Sequence, residues 1–175
     1  SDFTFSDELL ATFDPKPLRQ SLKIDDKFVI IYVGAHGVAN HLDHIIETAE
    51  LLQDTKVQFV LVGDGMQKPM LKEMAIQKKL SNVLFVDPVT KQEVIKYILA
   101  ADMGASVLKK VDTFKTVYSN KTFDYLSCKK PIFMAIDGVS RELIEIADGG
   151  VYVEPENPQD FADKIKQYIT DEALI

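Results

Sequence analysis

Six short apolar runs punctuate the chain at residues 28–33, 57–62, 83–86, 103–108, 132–135 and 151–153. Each is too short for a helix and rich in Val, Ile and Phe, which marks a strand. Segments of helical period lie between and after them: "HLDHIIETAELLQ", "PMLKEMAIQKKL", "KQEVIKYILAA", "NKTFDYLSC", "SRELIEIA" and "PQDFADKIKQYIT". Strands joined by helices instead of two-residue turns form a parallel sheet. Helices on both faces also explain why the runs are apolar throughout and do not alternate. The expected architecture is therefore a Rossmann-like three-layer α/β/α domain with a six-stranded parallel sheet, spanning 27–175. Residues 1–26, with Pro15 and Pro17 among acids, read as a lead-in segment holding one short helix.

At 175 residues and 46% hydrophobic content, one well-buried domain is the expectation. A formal charge of −7 argues against an electrostatic grip on nucleic acid, since a phosphate-backbone footprint is basic. The single cysteine, Cys128, has no partner for an internal disulfide. No apolar stretch reaches the roughly 18 residues of a membrane span, and the start carries no signal peptide. These features point to the cytoplasm, with the inner face of the cell membrane as a second station. The chain opens without Met and stops at "DEALI", so an excised piece of a longer protein is expected.

In an open parallel sheet, ligands bind beyond the carboxyl ends of the strands. The loops there read "GAHGVAN", "GDGMQK", "DPVT", "KKVDTFKTVYSN" and "IDGVS". They hold Gly34, Gly37, Gly63, Gly65 and Gly138, where a missing side chain either lets backbone N–H groups approach a ligand or merely serves the turn.

The fourth loop and the helix after it concentrate charge. Lys109, Lys110, Lys115, Lys121, Lys129 and Lys130 face only Asp112 and Asp124 across 109–130, so an acidic chain turns locally basic at its ligand edge. An anion suits that setting. A helix starting near Ser119 or Asn120 would add unpaired N–H groups and the positive end of its dipole for a phosphate, reinforced by Lys121. Asp124, one turn further, either forms a surface ion pair with Lys121 or accepts hydrogen bonds from the vicinal hydroxyls of a ribose.

His41 and His44 lie three apart with His36 just before, a spacing that metal sites use. No cysteine or close carboxylate pair completes a ligand set, so no metal site is assigned. His36 is expected to face the ligand cleft, and the other two to be ordinary helix residues. No Asp-x-Asp is present to hold a divalent ion on a diphosphate. The first loop is Gly34-x-x-Gly37 and not Gly-x-Gly-x-x-Gly, which disfavours NAD.

The ordered segments "FVIIYVGAHGVANHLDHIIETAELL", "FVLVGDGMQKPMLKEMA", "NVLFVDPVTKQEVIKYILAADMGASVL", "SNKTFDYLSCKKPIFMAIDG" and "GGVYVEPENPQDFADKI" resemble the C-terminal half of retaining GT-B glycosyltransferases. The closest likeness is to bacterial family-4 enzymes of capsule and O-antigen polysaccharide biosynthesis, over roughly residues 24–169. The resemblance implies a domain that binds a nucleotide-sugar donor, with the acceptor held by a separate N-terminal domain outside this chain. It puts Lys121 on the family's lysine, the candidate catalytic group, and Asp124 on the glutamate that binds ribose. Ser119 and Asn120 open the same motif. The base-binding loop falls on Asp87, Pro88 and Val89, and the diphosphate loop on Gly34 and Gly37, with His36 between them and Lys109 as a further cation.

Three positions depart from the family. Asp124 is one methylene shorter than glutamate, Thr116 stands where many members carry a second glutamate, and Ala35 and Asn40 replace the arginine and lysine near the first loop. The implied reaction is transfer from a nucleoside diphosphate sugar, UDP-sugar foremost, to a saccharide or lipid-linked acceptor, with no metal cofactor. Peripheral membrane association would belong to the full-length enzyme, and the isolated domain is expected to bind without turnover. The alternatives are a nucleotide-sugar epimerase of the same architecture and a non-catalytic nucleotide-binding or docking module.

Overall fold

The structure, a computed structural model, describes residue 8 and residues 11–107, 130–135, 150–154 and 156–173. Its elements run α1 (Lys16–Ser21), β1 (Phe28–Val33), a 3-10 turn (Val38–Asn40), α2 (Asp43–Glu50), β2 (Val57–Val62), α3 (Lys68–Gln77), β3 (Val83–Val86), α4 (Lys91–Ala100), β4 (Met103–Val107), β5 (Ile132–Ala135), β6 (Gly150–Tyr152) and α5 (Pro158–Ala173). The segments expected to be helical at 120–128 and 140–147 lie outside the described residues.

All six strands pair in parallel, in the order β3-β2-β1-β4-β5-β6. The chain winds outward from β1 through β2 to β3, then crosses back to lay β4 on the other side of β1. That reversal makes the carboxyl ends of β1 and β4 a topological switch point, where open α/β sheets form their ligand crevice.

Alternation along each strand supplies the two cores. Ile30, Tyr32, Phe59, Leu61, Met103, Ala105 and Phe133 meet α2, α3 and α5 through Ile45, Ile46, Ala49, Leu71, Phe161 and Ile165. Val29, Ile31, Val33, Val60 and Val62 meet α4 through Val94, Ile95 and Ile98, with Ile24 sealing the edge. A strand buried on both faces has no polar side to reveal its period, hence the uninterrupted apolar runs.

The lead-in segment is fastened at the amino edge of the sheet. The Arg19 guanidinium donates to the carbonyls of Ala100 (2.8 Å), Ile24 (3.1 Å) and Lys27, and approaches Asp102 Oδ2 at 3.4 Å. Asp102 in turn accepts from Val29 N at 2.7 Å, which ties α1 to the start of β1 and the approach to β4. This clamp lies at the edge opposite the loops that follow the strands.

Candidate functional site at the carboxyl edge of the sheet

The loops after β1 and β2 are zipped to one another. Gly34 N donates to Val62 O (3.0 Å), His36 N to Asp64 O (2.8 Å) and Gln67 N to His36 O (2.9 Å). The chains run so close that a Cβ on Gly63, at φ 143°, would overlap the Gly34 carbonyl, and one on Gly65 would lie 2.5 Å from the His36 carbonyl carbon. These two glycines therefore make room for neighbouring backbone and not for a ligand, which settles for them the choice the sequence left open.

Within the first loop, Tyr32 Oη donates to Ala35 O (2.8 Å) and Gly37 N donates to Asn40 Oδ1 (3.1 Å). Asn40 thus shapes the loop. Burial pushes the Tyr32 phenol well above its ordinary value, so it remains a donor.

His36 is enclosed instead of open to the cleft: it is 0% exposed, between Tyr32 and Phe85 at ring distances of 6.1 and 6.3 Å. Burial lowers its pKa, against the opposing pull of the Gly34 carbonyl 3.1 Å from Nδ1. A neutral ring that donates from Nδ1 follows, with Nε2 unpartnered among the described residues. His44 is a core residue, packed edge-on against Phe161 at 5.5 Å. His41, partly buried and at φ 50°, has Nδ1 3.0 Å from Asp43 Oδ1. Among the described residues no three His, Cys, Asp or Glu side chains gather as a metal-ligand set.

A lysine from the loop-to-helix junction after β2 reaches the end of β3, and no motif in the sequence marks it. Lys68, first in α3, is only 6% exposed in its side chain, and its ammonium reaches Gly63 O at 2.7 Å and Asp87 Oδ1 at 2.9 Å. The hydrogen bond from Lys68, then its charge, holds the Asp87 carboxyl below its ordinary range. The sequence signal was faint: a lysine ahead of Pro69 at a helix start, with an acid 19 residues on.

Of the candidate residues, Gly34, His36 and Gly37 lie on the loop after β1, and Asp87, Pro88 and Val89 on the loop after β3, all at one edge. Lys109, Thr116, Ser119, Asn120, Lys121 and Asp124 lie outside the described residues, on the stretch between β4 and β5. A cavity beside the first loop is lined by Gly37, Val38, His41, Gln67, Met70 and Leu71. No helix among the described residues is long and apolar enough to cross a membrane.

The winding order and the all-parallel pairing define a doubly wound, Rossmann-like α/β domain. A family model described as glycosyl transferases group 1 matches residues 27–171, and the chain belongs to that family. It is 28% identical over 162 residues to the Escherichia coli (strain K12) protein named as a colanic acid biosynthesis glycosyl transferase, WcaI, covering 90% of this chain and 40% of that one. The chain spans about two fifths of the length of the curated relatives it matches. Anabaena HepE, solved in complex with UDP, aligns with a TM-score of 0.79 at 21% identity, over 90% of this chain and 43% of that one. The C-terminal domain of a glycosyl transferase group 1 family protein from Francisella tularensis aligns at 0.73 and 19% identity, over 93% of this chain and 86% of that domain. The fold is thus that of such a C-terminal domain.

Proposed function

We propose that this chain is the donor-binding domain, over residues 27–175, of a glycosyltransferase. The full enzyme would pass a sugar from a nucleoside diphosphate sugar, foremost a UDP-sugar, to a saccharide or lipid-linked acceptor with retention at the anomeric carbon. The observation that carries this reading is the strand order, in a chain of the group 1 family. It brings the loops after β1 and β3 to one edge and delivers the chain to that edge at Val107, just ahead of Lys109. HepE crystallised with UDP and with UDP-glucose, which supports a uridine nucleotide as the first ligand to try.

In the proposed arrangement the base meets Asp87–Val89, the diphosphate meets Gly34–Gly37 and Lys121, and Asp124 takes the ribose hydroxyls. Ser119 and Asn120 would offer helix N-terminal donors, with Lys109 as an added cation and His36 supporting the first loop from beneath. As the glycosyl–oxygen bond breaks, negative charge grows on the β-phosphate, and fixed donors stabilise it more in the transition state than in the ground state. Acceptor binding and exclusion of water belong to the rest of the enzyme, so this domain alone should bind without turnover. Peripheral contact with a membrane would likewise be a property of the full-length protein.

Calorimetric titration with uridine, UMP, UDP and UDP-glucose tests the reading. Saturable binding of the two diphosphates, with weaker binding of uridine, is expected, and no binding of any of the four overturns it. Lysines and N–H donors are the cationic groups in this proposal, so affinity should survive excess EDTA. Loss of binding in chelator refutes metal independence.

A further inference from the structure

We propose that Lys68 is a positioning residue for nucleotide-base selection, acting through Asp87. This rests on the donor-domain reading and adds to it a device outside the family motif. The backbone ladder between β2 and β3 closes with Gly63 N donating to Val86 O at 3.0 Å. One residue further on, Lys68 adds a side-chain rung, holding Gly63 O at 2.7 Å and Asp87 Oδ1 at 2.9 Å. The two acceptors are the first residues beyond the two strands, where the loops would otherwise diverge.

The segment 87–90 is consequently fixed at both ends. Asp87 is tied to Lys68, and Thr90 caps α4 by accepting from Glu93 N at 3.2 Å. Between them the Pro88 ring restricts φ, and the Val89 side chain packs on the core of the α4 face. Main-chain groups discriminate between base edges only if they are stationary, because a mobile carbonyl or amide adjusts to whichever partner arrives. Asp87 is itself 90% exposed in its side chain, so the carboxylate is held in place by Lys68 and not by packing. The ammonium, buried and engaged by a carbonyl and a carboxylate, is not offered to a diphosphate, which would have to displace Asp87 first.

The test compares affinities for UDP, ADP, GDP and uridine in the parent chain, Asp87→Ala and Lys68→Met, with amide hydrogen exchange on the nucleotide-free proteins. Asp87→Ala removes the carboxylate and leaves the buried Lys68 ammonium on the Gly63 carbonyl alone, so urea unfolding first establishes that the variant is folded at the titration temperature. Lys68→Met keeps the apolar stem and removes the ammonium. Both should compress the ratio between the best and worst base by roughly five- to tenfold, the order of one main-chain hydrogen bond. They should leave the ratio of UDP to uridine unchanged, and speed exchange at Val89 and Thr90. Their effects on base ratio should be far from additive in the double variant, since each breaks the same link. Asp87→Glu, which can still reach the ammonium, should restore much of the selectivity. An unchanged base ratio, or unchanged exchange at 89–90, overturns the proposal. A loss of UDP over uridine in Lys68→Met at constant base ratio would make Lys68 a phosphate ligand instead. If the parent binds none of the nucleotides, the donor reading falls and takes this one with it, whereas binding with unaltered base selection removes this one alone.

Discussion

Acid should unfold this domain through His44. Its ring, on α2, is fully buried against Phe161 of α5. Burial, then the charge of His41, drops its pKa to about 4, partly opposed by the Asn157 main chain, Asp43 and Glu156. A depressed folded-state value means that the unfolded chain takes up the proton first as pH falls. The stability contribution is therefore complete above the ordinary histidine value near 6.5 and is lost progressively down to pH 4. Two and a half units at about 1.4 kcal/mol each amount to roughly 3 kcal/mol, a large share of the 5–15 kcal/mol typical of a domain. His44→Phe keeps an aromatic ring against Phe161 and cannot protonate. Urea denaturation between pH 7 and 4 should show the variant losing about 3 kcal/mol less than the parent, with carboxylate contributions common to both cancelling. Parallel pH profiles for the two proteins would refute the reasoning, as would a parent whose stability is flat between pH 6.5 and 4.5.

Three further outcomes are expected. Gly63→Ala forces a Cβ into the Gly34 carbonyl at φ 143° and should cost about 2–4 kcal/mol in thermal or urea unfolding, with weakened nucleotide binding because the first loop is displaced. Arg19→Met removes the clamp at the amino edge and leaves part-buried carbonyls without their donor, costing about 1–3 kcal/mol while leaving nucleotide affinity in the folded protein unchanged. Asp124→Asn should discriminate less between ribose and deoxyribose nucleotides, and Lys121→Ala should weaken diphosphates relative to nucleosides. If both bind every nucleotide as the parent does, the pair is only a surface ion pair.

The strands were legible because burial on both faces writes continuous apolar runs, and the bounds of β1, β2, β3 and β5 agree with the runs residue for residue. β6 begins one residue earlier, at Gly150, because a glycine carries no apolar signal. Helix starts were less legible. The periodic segment "HLDHIIETAELLQ" promises a helix from residue 41, yet His41 adopts φ 50° after the 3-10 turn Val38–Asn40, and α2 begins only at Asp43. The strand-end loops could be located from sequence as the ligand edge, but a glycine does not report whether its missing side chain admits a phosphate or another loop. Gly63 and Gly65 admit another loop. The Lys68–Asp87 pair was invisible because it joins residues 19 apart across two strand ends, with no local spacing rule to announce it.

The central claim, that the carboxyl edge of this sheet holds a nucleoside diphosphate, is tested most directly by following backbone amide NMR signals of the labelled chain during titration with UDP. Saturable shifts concentrated at residues 34–37, 87–90 and 119–124 are the predicted result. Shifts confined to the amino edge around Arg19, Lys27 and Asp102, or no shifts at saturating UDP, would contradict it.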